Sequence, residues 1–373
     1  MSERVLAAVR GARPGRRRAR GLTLVLCAAL AVVCVDAAAA RVEPTSAAWV
    51  NPVYASGTVA SVVGPVLNGR VSGSYTPADK SDAGTAVDLG TTLAGLKPGN
   101  APSISVQLQN TSGAGNALTL AKGPVSVTTT GGLTGGCAVT PSIANPGTTS
   151  LNNNGTTTSS VSLSVPTGLL PTCWNATGTL VASWTGTMAG NTWANPAYFR
   201  GNVSLGTWVW YGQVKLSGTT LCLDVISRAN ADGTGVQLYE CNQTPAQIWT
   251  FNPDGSIKVY QSVGLNNPND NPTPRCLEIP NQSTANDVSM QIRACAYNGA
   301  VLAQASQSWS LVDNGDGTVQ IRSALAGTNP AGPRCLDVPS TALVQGTLAR
   351  VASCASTGRS RSWVLSAVPT VAY

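Results

Sequence analysis

One short motif occurs three times in the C-terminal half of this 373-residue chain: a cysteine, a leucine, an acidic residue and a branched aliphatic residue. In each copy a second cysteine stands 19 residues after the first, and a tryptophan follows shortly afterwards. Such internal repeats indicate units that cannot bury a core alone and therefore pack around a shared one. The copies are Cys222-Leu223-Asp224-Val225, Cys276-Leu277-Glu278-Ile279 and Cys335-Leu336-Asp337-Val338, and their closing tryptophans are Trp249, Trp309 and Trp363.

The first 40 residues have the pattern of a secretory signal peptide. A run of arginines between Arg4 and Arg20 precedes the apolar stretch Gly21 to Val35, and the alanines at 37–40 offer a small-residue cleavage site. The apolar stretch is shorter than the ~20 residues that span a bilayer. We therefore expect a secreted or extracellular protein, free or held at the cell surface, with no integral membrane segment after cleavage.

Cysteine usage indicates disulfides and not metal binding. The chain has 10 cysteines, two of them in the leader, and no histidine. No two cysteines form a C-x-x-C pair, so we expect no zinc site, and nothing in the sequence requires a cofactor. The equal spacing within the repeats predicts one bond in each, as is usual in exported chains. The predicted bonds are Cys222–Cys241, Cys276–Cys295, Cys335–Cys354 and, upstream, Cys137–Cys173.

The net charge of +7 says little about partners, because most of it lies in the leader. The rest of the chain is nearly neutral and has no cluster of lysine and arginine of the kind that nucleic-acid binding needs. We therefore expect no nucleic-acid partner.

Residues 41–200 have the composition and patterning of a β-sandwich. Glycine and proline are plentiful (39 and 23 residues in the whole chain), which is typical of short strands joined by many turns. Polar and apolar residues alternate in Ser103–Gln109, Val125–Thr128 and Ser160–Val165, as in half-buried strands. We place a linker at residues 201–207 and the repeated domain at 208–373, so the predicted fold is all-β.

The repeated motif, with its cysteine spacing and its closing Q-x-W, resembles the ricin B-type β-trefoil lectin domain across residues 208–373. The resemblance implies three lobes around one core, stapled by the three disulfides. It implies that Trp249, Trp309 and Trp363 are core residues and not sugar platforms. It also implies a function, the binding of glycans or polysaccharide through a terminal sugar such as galactose.

A sugar site needs acceptors for hydroxyl groups, further polar groups that fix orientation and an aromatic face. The resemblance places this set in the first repeat. Asp224 would accept hydrogen bonds, Gln237 and Tyr239 would share one face of a strand, and Gln247 would hydrogen-bond Asp224 and hold it in place. The family's asparagine is an alanine here, one residue before Gln247, and Asn242 is the expected substitute.

The second repeat keeps a weaker set. Glu278, Gln291 and Gln307 occupy the matching positions, but Arg293 stands where the aromatic residue belongs. A longer segment between Cys295 and Gln307 should reshape the pocket.

The third repeat keeps only the acidic residue, Asp337. Arginines replace both glutamines and an alanine replaces the aromatic residue, so we expect no sugar site there. The replacements are Arg350, Arg361 and Ala352.

The sequence argues against an enzyme. Without histidine there is no Ser-His or Cys-His pair, and a glycosidase needs two carboxylates on either side of one bond. Between Arg41 and Leu205 the only acidic residues are Glu43, Asp79, Asp82 and Asp88.

The N-terminal half is similar to camelysin-type exported β-sandwich proteins, which assemble on bacterial surfaces. The similarity lies in Thr45–Ser61 and in Leu96–Gly99, which leads into Val106–Thr111. It keeps an alternative open, a structural or adhesive surface protein whose trefoil does not bind sugar.

Overall fold

The computed structural model describes residues 64–82, 84–190, 192–260, 273–325, 332–341, 343–355 and 361–368. Within these ranges the secondary structure consists of β-strands and short 3-10 turns, in a sandwich followed by a trefoil, as predicted. These residues belong to one compact unit. The predicted signal peptide, Glu43 and the similarity at Thr45–Ser61 lie outside the described residues.

The sandwich consists of two five-stranded sheets, with the orders β2-β1-β4-β8-β6 and β3-β10-β9-β5-β7. All pairs are antiparallel except β3 with β10. The strands are β1 Leu67–Arg70, β2 Thr76–Pro77, β3 Val87–Asp88, β4 Ser103–Asn110, β5 Leu118–Val127, β6 Thr140–Ile143, β7 Ser150–Leu151, β8 Thr156–Ser164, β9 Thr177–Met188 and β10 Ala194–Ser204.

Alternation along the strands explains the two-layer packing. In β4 the residues Ile104, Val106 and Leu108 are buried, while the residues between them are exposed or half-buried. Successive side chains of a strand point to opposite faces, so one face of each sheet packs inward. In this core the rings of Trp184 and Phe199 meet edge to face, with centroids 5.1 Å apart.

The sandwich continues into the segment predicted as a linker. Strand β10 runs to Ser204, and the side chains of Val203 and Leu205 are buried in the sandwich core. Their burial places residues 201–205 in the sandwich. Trp208 contacts the cores on both sides, and the trefoil core begins at Trp210. We therefore propose a domain boundary between Leu205 and Trp210.

The trefoil contains a 13-stranded antiparallel network and a separate two-stranded hairpin, β19–β20. The strands are β11 Trp210–Leu216, β12 Leu221–Val225, β13 Thr234–Glu240, β14 Ile248–Phe251, β15 Ile257–Val259, β16 Arg275–Glu278, β17 Val288–Ser289, β18 Gln291–Ala294, β19 Tyr297–Asn298, β20 Val301–Leu302, β21 Trp309–Asp313, β22 Val319–Ser323, β23 Arg334–Asp337, β24 Arg350–Ser353 and β25 Trp363–Ala367.

The ends of the trefoil meet in the sheet. Strand β11 pairs with β25, with Gly212 opposite Ala367 and Leu216 opposite Trp363. The first and last strands of the domain are therefore hydrogen-bonded neighbours.

The three lobes join through a closed ring of backbone hydrogen bonds. The N–H of Val236 donates to the carbonyl of Met290 (3.1 Å), that of Met290 to Ala349 (2.8 Å), and that of Ala349 back to Val236 (2.9 Å). All three residues are buried. Each lobe therefore donates to one neighbour and accepts from the other, as threefold pseudosymmetry requires.

The closing tryptophans occupy equivalent positions in the core. Each is buried, and each indole N–H donates to the carbonyl of the leucine that follows the first cysteine of its repeat. The bonds are Trp249 to Leu223 (3.0 Å), Trp309 to Leu277 (3.0 Å) and Trp363 to Leu336 (3.1 Å). The tryptophan at the end of each repeat is therefore hydrogen-bonded to the strand that carries the first cysteine of the same repeat.

The described residues contain four disulfides, paired as predicted: Cys137–Cys173, Cys222–Cys241, Cys276–Cys295 and Cys335–Cys354. In each lobe the bond joins the strand that carries the acidic residue to the end of the next strand, so it fixes the edge of the predicted pocket.

Candidate functional site

Asp224 and Gln237 lie directly opposite each other on the paired strands β12 and β13 of the first lobe. The Nε2 group of Gln237 donates to Oδ1 of Asp224 over 3.1 Å. Their chain neighbours Leu223 and Leu238 are buried in the core. Because side chains alternate along a strand, Asp224 and Gln237 lie on the face opposite these leucines. There Gln237 is half-buried and Asp224 is 6% exposed.

The environment of Asp224 shifts its titration. Burial raises the pKa of the Asp224 carboxyl, while hydrogen bonds from Gln237 and Gln247 and the nearby charge of Arg228 act in the opposite direction. Asp224 therefore takes up a proton at a higher pH than an exposed aspartate. Only the ionised form is purely a hydrogen-bond acceptor.

Tyr239 completes one face of β13. It is half-buried, lies two residues beyond Gln237 and stands opposite Cys222, so it shares the outward face. Asn242 is exposed in the following turn, where its Oδ1 accepts a hydrogen bond from the N–H of Thr244 over 3.1 Å. Ala246 is fully buried and offers no polar group to a ligand.

Gln247 holds the backbone of the first lobe together. It is fully buried, its Nε2 donates to the carbonyl of Glu240 (2.8 Å), and its Oε1 accepts from the N–H of Asn242 (2.8 Å) and the side chain of Gln213 (3.1 Å). Its amide opposes the rise in the pKa of Asp224, but its hydrogen bonds are with Glu240, Asn242 and Gln213. Its contacts with the turn around Cys241 were not apparent in the sequence.

The second lobe repeats the carboxylate–glutamine pair. Gln291 stands opposite Glu278 and donates to its Oε2 over 2.9 Å. Gln307 donates to the carbonyl of Ala294 over 3.0 Å, the equivalent of the bond from Gln247 to Glu240 in the first lobe. Arg293, exposed, occupies the place of Tyr239. This lobe therefore has the acceptor but not the aromatic face.

The longer segment of the second lobe forms the hairpin β19–β20. It contacts the segment that joins the first two lobes: the hydroxyl of Tyr297 donates to Oδ2 of Asp254, in the turn between β14 and β15, over 2.8 Å, and Nζ of Lys258 on β15 lies 5.3 Å from the centre of the tyrosine ring. Burial opposes ionisation of Asp254, but hydrogen bonds from Ser256 and Tyr297 keep its pKa below the ordinary value.

The corresponding pocket of the third lobe is filled by the protein itself. Asp337 is fully buried, with Nε of Arg350 2.8 Å from its Oδ2 and Nε of Arg361 3.3 Å from its Oδ1. Arg350 also pairs with Asp287. Both arginines stand at glutamine positions of the motif, and Ala352 takes the aromatic position. The acceptor is therefore neutralised internally.

The first two lobes share a strained loop after the acidic strand. Ser227 and Arg228 have φ angles of 56° and 55°, and Asn281 and Gln282 have 54° and 51°. Consecutive non-glycine residues in this region cost free energy and cluster at functional sites. Among the described residues of the third lobe the matching segment has no such pair. The strain thus accompanies the lobes that retain a carboxylate–glutamine pair.

The described ranges contain no group of three His, Cys, Asp or Glu side chains placed to bind a metal ion. Nor does any helix in those ranges have the length and apolar character needed to cross a membrane.

A family model described as the ricin-type β-trefoil lectin domain matches residues 210–272, which begin at β11 and include the first-lobe site. This match confirms the resemblance that the repeated motif indicated.

Three solved structures are similar to about two fifths of this chain. A designed threefold-symmetric protein, ThreeFoil, is 22% identical, with a TM-score of 0.33, over 42% of this chain and 99% of its own. A non-toxic homologue of type II RIPs from Momordica charantia (bitter gourd), in complex with α-methyl-D-galactoside, is 19% identical, with a TM-score of 0.30, over 43% of this chain and 48% of its own. The β-trefoil lectin of the Vibrio vulnificus hemolysin/cytolysin, with N-acetyl-D-lactosamine bound, is 16% identical, with a TM-score of 0.31, over 43% of this chain and 96% of its own.

Proposed function

We infer from the ricin-type β-trefoil lectin domain at residues 210–272 that this protein binds carbohydrate, and we propose that it does so without catalysis, outside the cell, through a terminal sugar such as galactose held by the first lobe. The observation that carries the proposal is the state of Asp224. Its carboxylate is supported by Gln237 on the outward face of the lobe, and no salt bridge to it occurs within the described ranges.

The first-lobe groups suit a sugar chemically. A carboxylate held by an amide accepts hydrogen bonds from adjacent ring hydroxyls, and the ring of Tyr239 supplies an apolar face for C–H groups. Gln237 fixes the carboxylate before a ligand arrives, which reduces the ordering cost of binding. The second lobe, with Arg293 in place of the tyrosine, would contribute a weaker site.

Asp224→Asn should abolish most of the binding. The asparagine keeps the shape of the side chain but replaces a charged acceptor by a neutral amide. Hydrogen bonds to charged groups contribute about 1.5–3 kcal/mol, so we expect at least a ~10-fold loss of affinity for galactose. Titration of the full chain with galactose measures it, with Asp79→Asn, an exposed aspartate of the sandwich, as the matched control. Equal affinity of the Asp224→Asn and unchanged proteins would refute the first-lobe site.

Binding should also depend on pH through Asp224. Since burial raises the pKa of this carboxyl, the carboxylate is lost as the pH falls through the raised value, and galactose affinity should fall at a higher pH than that at which an exposed aspartate titrates. Folding responds with the opposite sign. The folded state holds the Asp224 proton more tightly than the unfolded chain, so this group favours folding most at low pH, and that contribution is lost as the pH rises through the raised pKa. Titrations between neutral and acidic pH test the binding effect, and a residual pH dependence of the same size in Asp224→Asn would assign it to another group.

A structural role without sugar binding is the second candidate. The third lobe supports it, because Asp337, Arg350 and Arg361 show that a lobe of this protein persists with its pocket filled by ion pairs. A glycan array probed with the full chain separates the two functions, since the structural reading predicts no bound glycan.

A further inference from the structure

Each carboxylate–glutamine pair lies beside a residue from a neighbouring lobe. In the first lobe, Gln237 on β13 is bridged on its other side to Leu348 of the third lobe. The N–H of Leu238 donates to the carbonyl of Thr347 (2.7 Å), and that of Ala349 donates to Val236 (2.9 Å). These bonds make Gln237 and Leu348 a non-hydrogen-bonded antiparallel pair, the kind whose side chains lie closest together and on the same face.

The same position differs in each lobe. Gly235 stands beside Gln291 in the second lobe, and Ser289 stands beside Arg350 in the third. Gly235 presents no side chain, and a Cβ there would lie 2.9 Å from Cδ1 of Ile226, the end of that side chain. Only the first lobe therefore has an apolar side chain beside its glutamine.

Leu348 is placed to contact a ligand. It is 43% exposed, and it shares the outward face with Gln237 and, across the next strand pair, with Asp224. Three neighbouring strands therefore place a carboxylate, an amide and an aliphatic side chain side by side on this face, from Asp224, Gln237 and Leu348 respectively.

We propose that Leu348 forms part of the first-lobe binding site and makes it prefer a sugar with an acetamido group to the same sugar with a hydroxyl. This inference rests on the proposed function. An acetamido group has a carbonyl acceptor beside a methyl group. Gln237 uses one N–H of its amide on Asp224, so the other can donate to that carbonyl while the methyl group packs on Leu348. Burial of one methyl group corresponds to about a fourfold gain in affinity.

The test compares galactose with N-acetylgalactosamine, titrated against the full chain. The unchanged protein should bind N-acetylgalactosamine at least about fourfold more tightly. Leu348→Ser should reduce that ratio by about fourfold, because the methyl group of the acetamido sugar loses its apolar contact. Val344→Ser is the matched control: Val344 is 62% exposed in the same segment but is not paired with Gln237, and its replacement should leave the ratio unchanged.

Three results would overturn the proposal: an unchanged protein without preference, a ratio unaffected by Leu348→Ser, or an equal effect of Val344→Ser. If Asp224→Asn abolishes binding in any of these cases, the first-lobe site stands and only the proposed role of Leu348 is wrong. If the unchanged protein binds neither sugar, both the proposed function and the role of Leu348 are wrong. Binding left in Asp224→Asn comes from the second lobe and should show no preference for the acetamido sugar, since Gly235 has no side chain.

Discussion

Asp337→Ala should destabilise the trefoil by about 3–5 kcal/mol, although Asp337 lies in the lobe that we expect to bind nothing. Its carboxylate is fully buried between Arg350 and Arg361, whose side chains are 25% and 11% exposed. Removing the carboxylate leaves two poorly solvated guanidinium groups near each other without their shared counter-ion. Denaturant unfolding monitored by tryptophan fluorescence measures the change, since Trp363 lies in the same lobe.

Asp287→Ala provides the contrast. Asp287 also pairs with Arg350, but its side chain is 66% exposed. Exposed ion pairs contribute about 0–1 kcal/mol, so we expect a small effect from this variant. Equal destabilisation by the two substitutions would show that burial of the ion pair is not the reason.

Trp249→Ala should cost about 3–5 kcal/mol, the range for removing a large buried aromatic side chain. Trp249 is fully buried, and its indole N–H donates to the carbonyl of Leu223. Trp249→Phe keeps most of the apolar volume but leaves that carbonyl unpaired, which costs about 1–3 kcal/mol.

The effect should extend to the binding site, because Leu223 immediately precedes Asp224. We expect Trp249→Phe to weaken galactose binding as well as stability, whereas Trp193→Ala, at a 43% exposed tryptophan of the sandwich, should change stability by less than about 1 kcal/mol and leave binding intact. Unchanged binding in Trp249→Phe would show that Asp224 does not depend on this core contact.

The lobes were predictable because their signals are local. Two cysteines at a fixed separation within one repeat can pair only where adjacent strands bring them together, and the same strands place Asp224 opposite Gln237 and Glu278 opposite Gln291. The arginine at position 350, in place of a glutamine, led us to expect no sugar site in the third lobe. The sequence did not indicate that this arginine would form an ion pair with Asp337.

Contacts between lobes could not be read from the sequence. The pairing of Gln237 with Leu348 depends on the register between strands of different lobes, which no repeat spacing specifies. The same limit applies to the end of the sandwich, where burial of Val203 and Leu205 against distant strands extends β10 into a glycine-containing segment that resembled a linker.

The ring formed by Val236, Met290 and Ala349 has a consequence for the order of events during biosynthesis. A ribosome releases the lobes one after another, but the ring needs a donor and an acceptor from every lobe. Until Ala349 has emerged, the carbonyl of Met290 has its partner while the N–H of Met290 and the carbonyl of Val236 do not. Such distant pairings also fold slowly. The trefoil therefore cannot close until its last lobe has been synthesised. A chain that stops before residue 349 leaves backbone groups of the first two lobes without their ring hydrogen bonds.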